Sequence, residues 1–220
     1  MVRFLREQDI ATVAKIHQEV LPESPLVKLG YHFLKDIYYP CLLQQEGVFC
    51  FVYPFQEELT GFICGAYNTD TFSRQMLNSR LLKFSLIILQ TLLRHPTSLS
   101  VLIELIQLQW GASPKEIRKI PAQLLSFGIC PQFRGNSEFS KQHKIKISDN
   151  LFQVFLEELH SRGISTFKVI THADSTANFF YKNRGMRFVT NSKTESKNYF
   201  YVGEVESLLS KYPPLKNANL

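Results

Sequence analysis

The chain has 220 residues, enough to bury one sizeable core, and a net charge of +6 from 25 Lys and Arg against 19 Asp and Glu. The cations are scattered and form no clustered stripe, which argues against nucleic acid as a partner. Charges at Arg3, Arg6, Glu7 and Asp9 break the apolar core an export signal needs, and Cys41, Cys50, Cys64 and Cys130 fit no zinc spacing, so the expectation is a cytoplasmic protein with reduced, buried thiols and no metal.

The first third reads as helices followed by a hairpin. Val48 to Tyr53 and Leu59 to Tyr67 alternate around a polar turn at Pro54 to Glu58, the pattern of paired antiparallel strands. Between that hairpin and residue 122 lies an insertion, about residues 72–115, with two helical stretches, Leu81 to Leu93 and Leu99 to Trp110, separated by Arg94-His95-Pro96. Neither stretch has the about twenty uninterrupted apolar residues of a membrane span. The plain reading is a helical hairpin packed on its own domain, with Pro96 opening the second helix. The alternatives are a homodimer interface, a lid over a hydrophobic acceptor, or an in-plane membrane contact. Sparse Lys and Arg rank the last lowest.

Residues 122–131, Ala-Gln-Leu-Leu-Ser-Phe-Gly-Ile-Cys-Pro, read as a buried strand with an irregularity predicted at Gly128. A turn, Gln132-Phe133-Arg134-Gly135-Asn136, carries a cation and leads through a polar stretch to a helix patterned on Ile147, Leu151, Phe152, Phe155, Leu156 and Leu159. A loop that delivers backbone N–H groups to a helix start is a phosphate-holding arrangement. Phe167 to Ile170 reads as a strand, and Asp174 to Gly185 as a capped helix with a glycine stop. Met186 to Thr190 and Asn198 to Val202 pair as a last hairpin, and the tail from Lys211 is expected to be poorly ordered.

Strand, Arg-Gly loop, helix, strand, and a helix with Tyr four residues before Gly together resemble the GNAT (Gcn5-related) N-acetyltransferase family. The residues that carry the resemblance are Ile129-Cys-Pro131-Gln-Phe-Arg134-Gly135-Asn136 and Asp174-x-x-Ala177-x-x-x-Tyr181-x-x-x-Gly185-Met186. The N-terminal half fits it as well. Val2-Arg3-Phe4 takes the place of strand one, Asp9 caps a helix from Ile10 to Val20, and Pro25 to Gly30 leads into a second helix.

The resemblance implies a single α/β (α+β) domain over residues 1–220: a mixed, mainly antiparallel sheet of about seven strands, splayed in the middle, with helices on both faces and a helical insertion. It implies acetyl-CoA as co-substrate and a primary amine as acceptor, on a small molecule, a sugar or a peptide. Backbone groups at Phe127, Gly128 and Ile129 would hold the pantetheine arm, and those at Gly128 to Ile129 would stabilise the oxyanion. Arg134, Gly135, Asn136 and Ser148 would lie at the phosphates, and Tyr181 would protonate the leaving thiolate.

Four departures from the family pattern stand out. Residues 137–146 interrupt the glycine-rich loop, with Lys146 at a glycine position, and Lys141, Lys144 and Lys146 are candidates to supply charge there. Asp174 replaces an asparagine; it either caps a helix starting at Ser175 or accepts from a pantetheine amide. Met186 replaces a phenylalanine. Gln123 stands where many members carry a glutamate base, and an amide cannot take the proton. The candidates for the base are therefore His172, Glu104, Glu57, Glu58, or a water held by Gln123 and Ser126. These departures keep open a second function, a protein of this fold that binds acyl-CoA or a partner without turnover. A bland reading also remains for each residue: Tyr181 as core, Arg134 as a solvated turn residue.

Overall fold

The computed structural model describes residues 1–71, 113–135, 137–190 and 197–213. Among them, seven strands form one sheet in the order β1-β2-β3-β4-β5-β7-β6. These are β1 Arg3–Phe4, β2 Val48–Phe55, β3 Glu58–Ala66, β4 Gln123–Ile129, β5 Thr166–His172, β6 Arg187–Val189 and β7 Asn198–Glu204. All neighbouring strands are antiparallel except β4 and β5, which is the mixed, mainly antiparallel sheet expected.

Helices cover both faces. On one lie α1 (Ile10–Val20), α2 (Pro25–Lys28) and α3 (Tyr31–Phe33), the last running through a π-helical turn at Leu34–Tyr38 into α4 (Tyr39–Gln44). Val13, Ile16, Leu34 and Ile37 pack there against Val52 and Phe62 of the sheet. Short α5 (Lys115–Arg118) brings Ile117 to Phe200 and Val202. The other face is covered by α7 (Ile147–Ser161), which is preceded by α6 (Glu138–His143) and followed in the chain by α8 (Ala177–Asn183) and α9 (Val205–Leu209). Leu151, Phe152, Phe155 and Leu159 of α7 are fully buried at the four-residue spacing of one helix face. Each contributes about 1.5–3 kcal/mol by leaving water.

Several local expectations are corrected. Asp9 is the N-cap residue of α1, but its side chain makes no capping hydrogen bond to that helix. Its carboxylate accepts from the Arg6 N–H at 2.9 Å and from Arg3 at 2.5 and 2.9 Å, so it closes the 3₁₀ turn before the helix. The polar stretch after Asn136 is not a loop. Ser137 accepts from the Ser140 N–H, α6 forms, and Phe139 packs edge-on to Phe55 and Phe133 at centroid distances of 4.7 and 5.0 Å. The expectation of four reduced thiols also fails: Cys50 and Cys64, directly opposite on β2 and β3 with Cα atoms 4.1 Å apart, form a disulfide.

The tail is tied down as far as Pro213, whose carbonyl accepts from Gln153. The helical stretches at 81–93 and 99–110, with the dimer, lid and membrane readings placed on them, lie outside the described residues. Among the described residues no helix is long and apolar enough to cross a membrane.

Candidate functional site

The site begins where the sheet splits. β4 and β5 pair over two rungs, Gln123 with Lys168 and Leu124 with Val169, and then diverge. Beyond that point β4 keeps β3 as its neighbour and β5 keeps β7, so a wedge opens between the C-terminal ends of two parallel strands. Crevices of this kind, outside the carboxyl ends of strands, are where α/β sheets bind ligands.

A bulge aims the backbone into the wedge. The β3 register jumps from Cys64–Ser126 to Gly65–Leu124, which leaves Leu125 as the extra residue. Ahead of the bulge, the Ala122 carbonyl accepts from Lys168 N–H on β5 at 2.9 Å. After it, Cys130 N–H donates to Thr60 on β3. The bulge reverses the sides, so alternation back from Cys130 turns the N–H groups of Phe127 and Ile129 toward the wedge, where among the described residues no strand pairs with them. The irregularity is thus at Leu125 and not at Gly128, whose own N–H faces β3. Gly128 is small for another reason: a Cβ there would meet Val20 at 2.5 Å and the Phe62 ring at 2.8 Å, so its absence lets α1 close on the sheet.

The mouth of the wedge carries the loop residues. The 3₁₀ turn Pro131–Phe133 leads to Arg134, which is exposed and whose Nε donates to the Ile129 carbonyl at 3.1 Å, leaving the rest of the guanidinium outward. Gly135 is exposed with open space around it; Asn136 lies outside the described residues. Lys146 is the N-cap of α7, without a side-chain cap, and Ser148 sits half-buried in the first turn. Lys141 and Lys144 are exposed on and just after α6, with Lys144 in the left-handed region at φ 54° ending that helix.

On the other wall, Tyr181 of α8 is buried in the core with its ring 5.5 Å from those of Phe180 and Tyr201. Phe180 in turn contacts Phe127 across the wedge at 5.2 Å. Burial raises the Tyr181 phenol well above its ordinary value, so it holds its proton, and among the described residues its hydroxyl has no hydrogen-bond partner. Asp174 does not cap α8. The helix starts at Ala177 after Thr176, and the Asp174 carboxylate is 88% exposed. Asn178 organises this corner instead. Buried at the start of α8, it donates to the carbonyls of His172 and Ala173 at 2.9 and 2.8 Å, holding the end of β5 in place, and among the described residues its own Oδ1 has no partner.

The candidate bases separate clearly. His172 ends β5 with Nδ1 accepting the Asp174 N–H at 3.4 Å. Glu57 and Glu58 are exposed at the β2–β3 turn, and Glu104 lies outside the described residues. Ser126 is buried beside the phenols of Tyr38 and Tyr39 without hydrogen-bond geometry to either. Tyr39 is bonded to His17 Nδ1 at 2.8 Å, and burial pushes the His17 imidazole down to about 4. None of the described candidates is a carboxylate pointing into the wedge.

Two residues were not anticipated. Lys168 is 8% exposed in the middle of β5, and burial lowers its amine. Its signal was present in the sequence, a lysine inside the apolar run Phe167-Lys168-Val169-Ile170. Arg184, at the end of α8, pairs with Asp149 in the first turn of α7 and donates to the Tyr212 hydroxyl at 2.8 Å. No local pattern announces that contact.

No protein-family model matches the chain, and no curated protein sequence matches it. Solved structures do. SsHAT is 17% identical with a TM-score of 0.65, over 93% of this chain and 98% of that one. The PaiA N-acetyltransferase from Thermoplasma acidophilum, in complex with coenzyme A, is 12% identical with a TM-score of 0.54, over 93% and 98%. Ard1 from Thermoplasma volcanium is 16% identical with a TM-score of 0.51, over 93% and 96%. The chain therefore has the fold of the GNAT acetyltransferases.

Proposed function

We propose that the protein transfers an acetyl group from acetyl-CoA to a primary amine. The observation that carries this reading is the wedge itself: the backbone N–H groups of Phe127 and Ile129, unpaired among the described residues, face a cleft with the protonated phenol of Tyr181 in its opposite wall.

Cofactor binding, oxyanion stabilisation and thiolate protonation each have a residue suited to them. The pantetheine arm lies along β4 as an extra strand between β4 and β5, taking up the N–H groups that β5 no longer pairs. Those donors are oriented before reaction, so they stabilise negative charge as it develops on the thioester carbonyl oxygen. The phosphates lie at Arg134, Gly135 and the first turn of α7 with Ser148, where exposed N–H groups and the helix dipole favour an anion; Asn136 joins them by its place in the sequence. Asp174, exposed just beyond the end of β5, accepts from a pantetheine amide in this reading. Tyr181 gives its proton to the departing thiolate.

The test is calorimetric titration with acetyl-CoA, followed by thiol release with a panel of primary amines. Micromolar binding and amine-dependent release support the reading. Binding without release for any amine leaves an acyl-CoA-binding protein of this fold, and no binding removes both.

A further inference from the structure

The amine proton lacks an acceptor in the site described so far, since Gln123 stands where a carboxylate base would be expected. The register of the sheet supplies one. Gln123 and Lys168 are direct partners on the rung of the β4–β5 ladder immediately before its last, at the closed end of the wedge. Their flanking residues, Ala122 and Leu124 on one strand and Phe167 and Val169 on the other, all pack into the core under α7. By alternation both side chains project from the opposite face. Tyr181 and the Phe127–Phe180 contact lie on the α7 face, so the two faces of the wedge carry different chemistry.

We propose that Lys168 is the general base of the amine-acetylation site, with the Gln123 amide beside it orienting the incoming amine. The assignment rests on the acyltransfer reading above. The alkylammonium acceptor gives one proton to the neutral Nζ of Lys168, and its nitrogen lone pair forms the C–N bond to the thioester carbonyl carbon. The C–S bond then breaks and the thiolate takes the Tyr181 proton; the second proton leaves the acylated nitrogen and restores the Tyr181 phenol, and the proton on Lys168 passes to solvent. The sum is amide, CoA thiol and one proton.

The surroundings suit the task. Lys168 lies between Gln123 and Val202, next to the apolar cluster of Ile117 and Phe200, and among the described residues Nζ has no hydrogen bond or ion pair. A buried amine in such a place favours its neutral form, and burial is the first cause of its lowered basicity. Among the described residues the charge that acts on it is Asp70, which opposes the shift; Arg187, across Val202 on β6, is paired with Glu116 of α5.

The experiment compares wild type, Lys168→Met and Lys168→Arg for acetyl-CoA affinity, for kcat against pH with the best amine of the panel, and for acyl groups on the protein by mass spectrometry. Met matches the volume of the lysine stem, and a thermal melt confirms that it folds. The expected result is acetyl-CoA affinity within about twofold, kcat down at least about 100-fold in both variants, and loss of the acidic limb of the wild-type profile. Unchanged kcat and pH profile in Lys168→Met would overturn the assignment while leaving acetyl transfer standing. A stable acetyl group on Lys168 that turns over no further would overturn it too, making that amine an acceptor. A wild type that binds acetyl-CoA but acetylates no amine would bring down the acyltransfer reading, and this base with it.

Discussion

The guanidinium carbon of Arg184 lies 3.4 Å from the centroid of the Phe180 ring, and the same side chain pairs with Asp149 in the first turn of α7. One residue at the end of α8 thus ties together the two helices that flank the wedge. It also holds the C-terminal segment through the Tyr212 hydroxyl.

Removing that tie tests how far the cleft depends on it. Arg184→Met keeps most of the apolar stem but leaves Asp149 and Tyr212 without their donor. The expected cost is about 1–3 kcal/mol in urea unfolding, because a half-buried ion pair and a stacked cation are lost together. Acetyl-CoA affinity falls as well, since the first turn of α7 loses its anchor.

Tyr181→Phe separates chemistry from packing. The hydroxyl has no partner among the described residues, so its loss leaves no orphaned group. Stability and acetyl-CoA affinity stay near wild type while kcat drops about 100-fold or more. Full activity in this variant would remove Tyr181 as the acid.

The two glycines flanking the strand end behave oppositely. Gly128→Ala forces a methyl against Val20 and Phe62 and costs about 1–3 kcal/mol by overpacking, read in a thermal or urea melt. Gly135→Ala meets open space with no positive φ, so stability stays within about 0.5 kcal/mol. A loss of acetyl-CoA affinity in that variant marks close approach of a phosphate to the loop.

His17 makes stability fall on the acid side. Its folded value, pushed down to about 4 by burial, lies below the ordinary 6.5, so between those limits the unfolded chain takes up a proton the folded one refuses. Stability is therefore full above about pH 6.5 and declines toward pH 4, by on the order of 3 kcal/mol in total. His17→Gln costs stability at neutral pH through Tyr39 but flattens this decline, as melting temperatures across the range would record.

What the sequence determined by itself is the set of elements and their order. The hairpin of β2 and β3, the bounds of α1 and the glycine stop after α8, where Gly185 adopts φ 76°, are properties of short windows, in which periodicity, turn residues and backbone permissiveness are local. The wedge and its chemistry are not local. The bulge at Leu125 exists only against β3, Lys168 reaches Gln123 only through a parallel pairing across distant segments, and the capping reading of Asp174 failed because the helix expected to start at Ser175 starts two residues later, at Ala177. Pairing partners and register come from the simultaneous packing of α1 and α7 on the two faces of the sheet. That packing decides which N–H groups and which amine meet in the cleft.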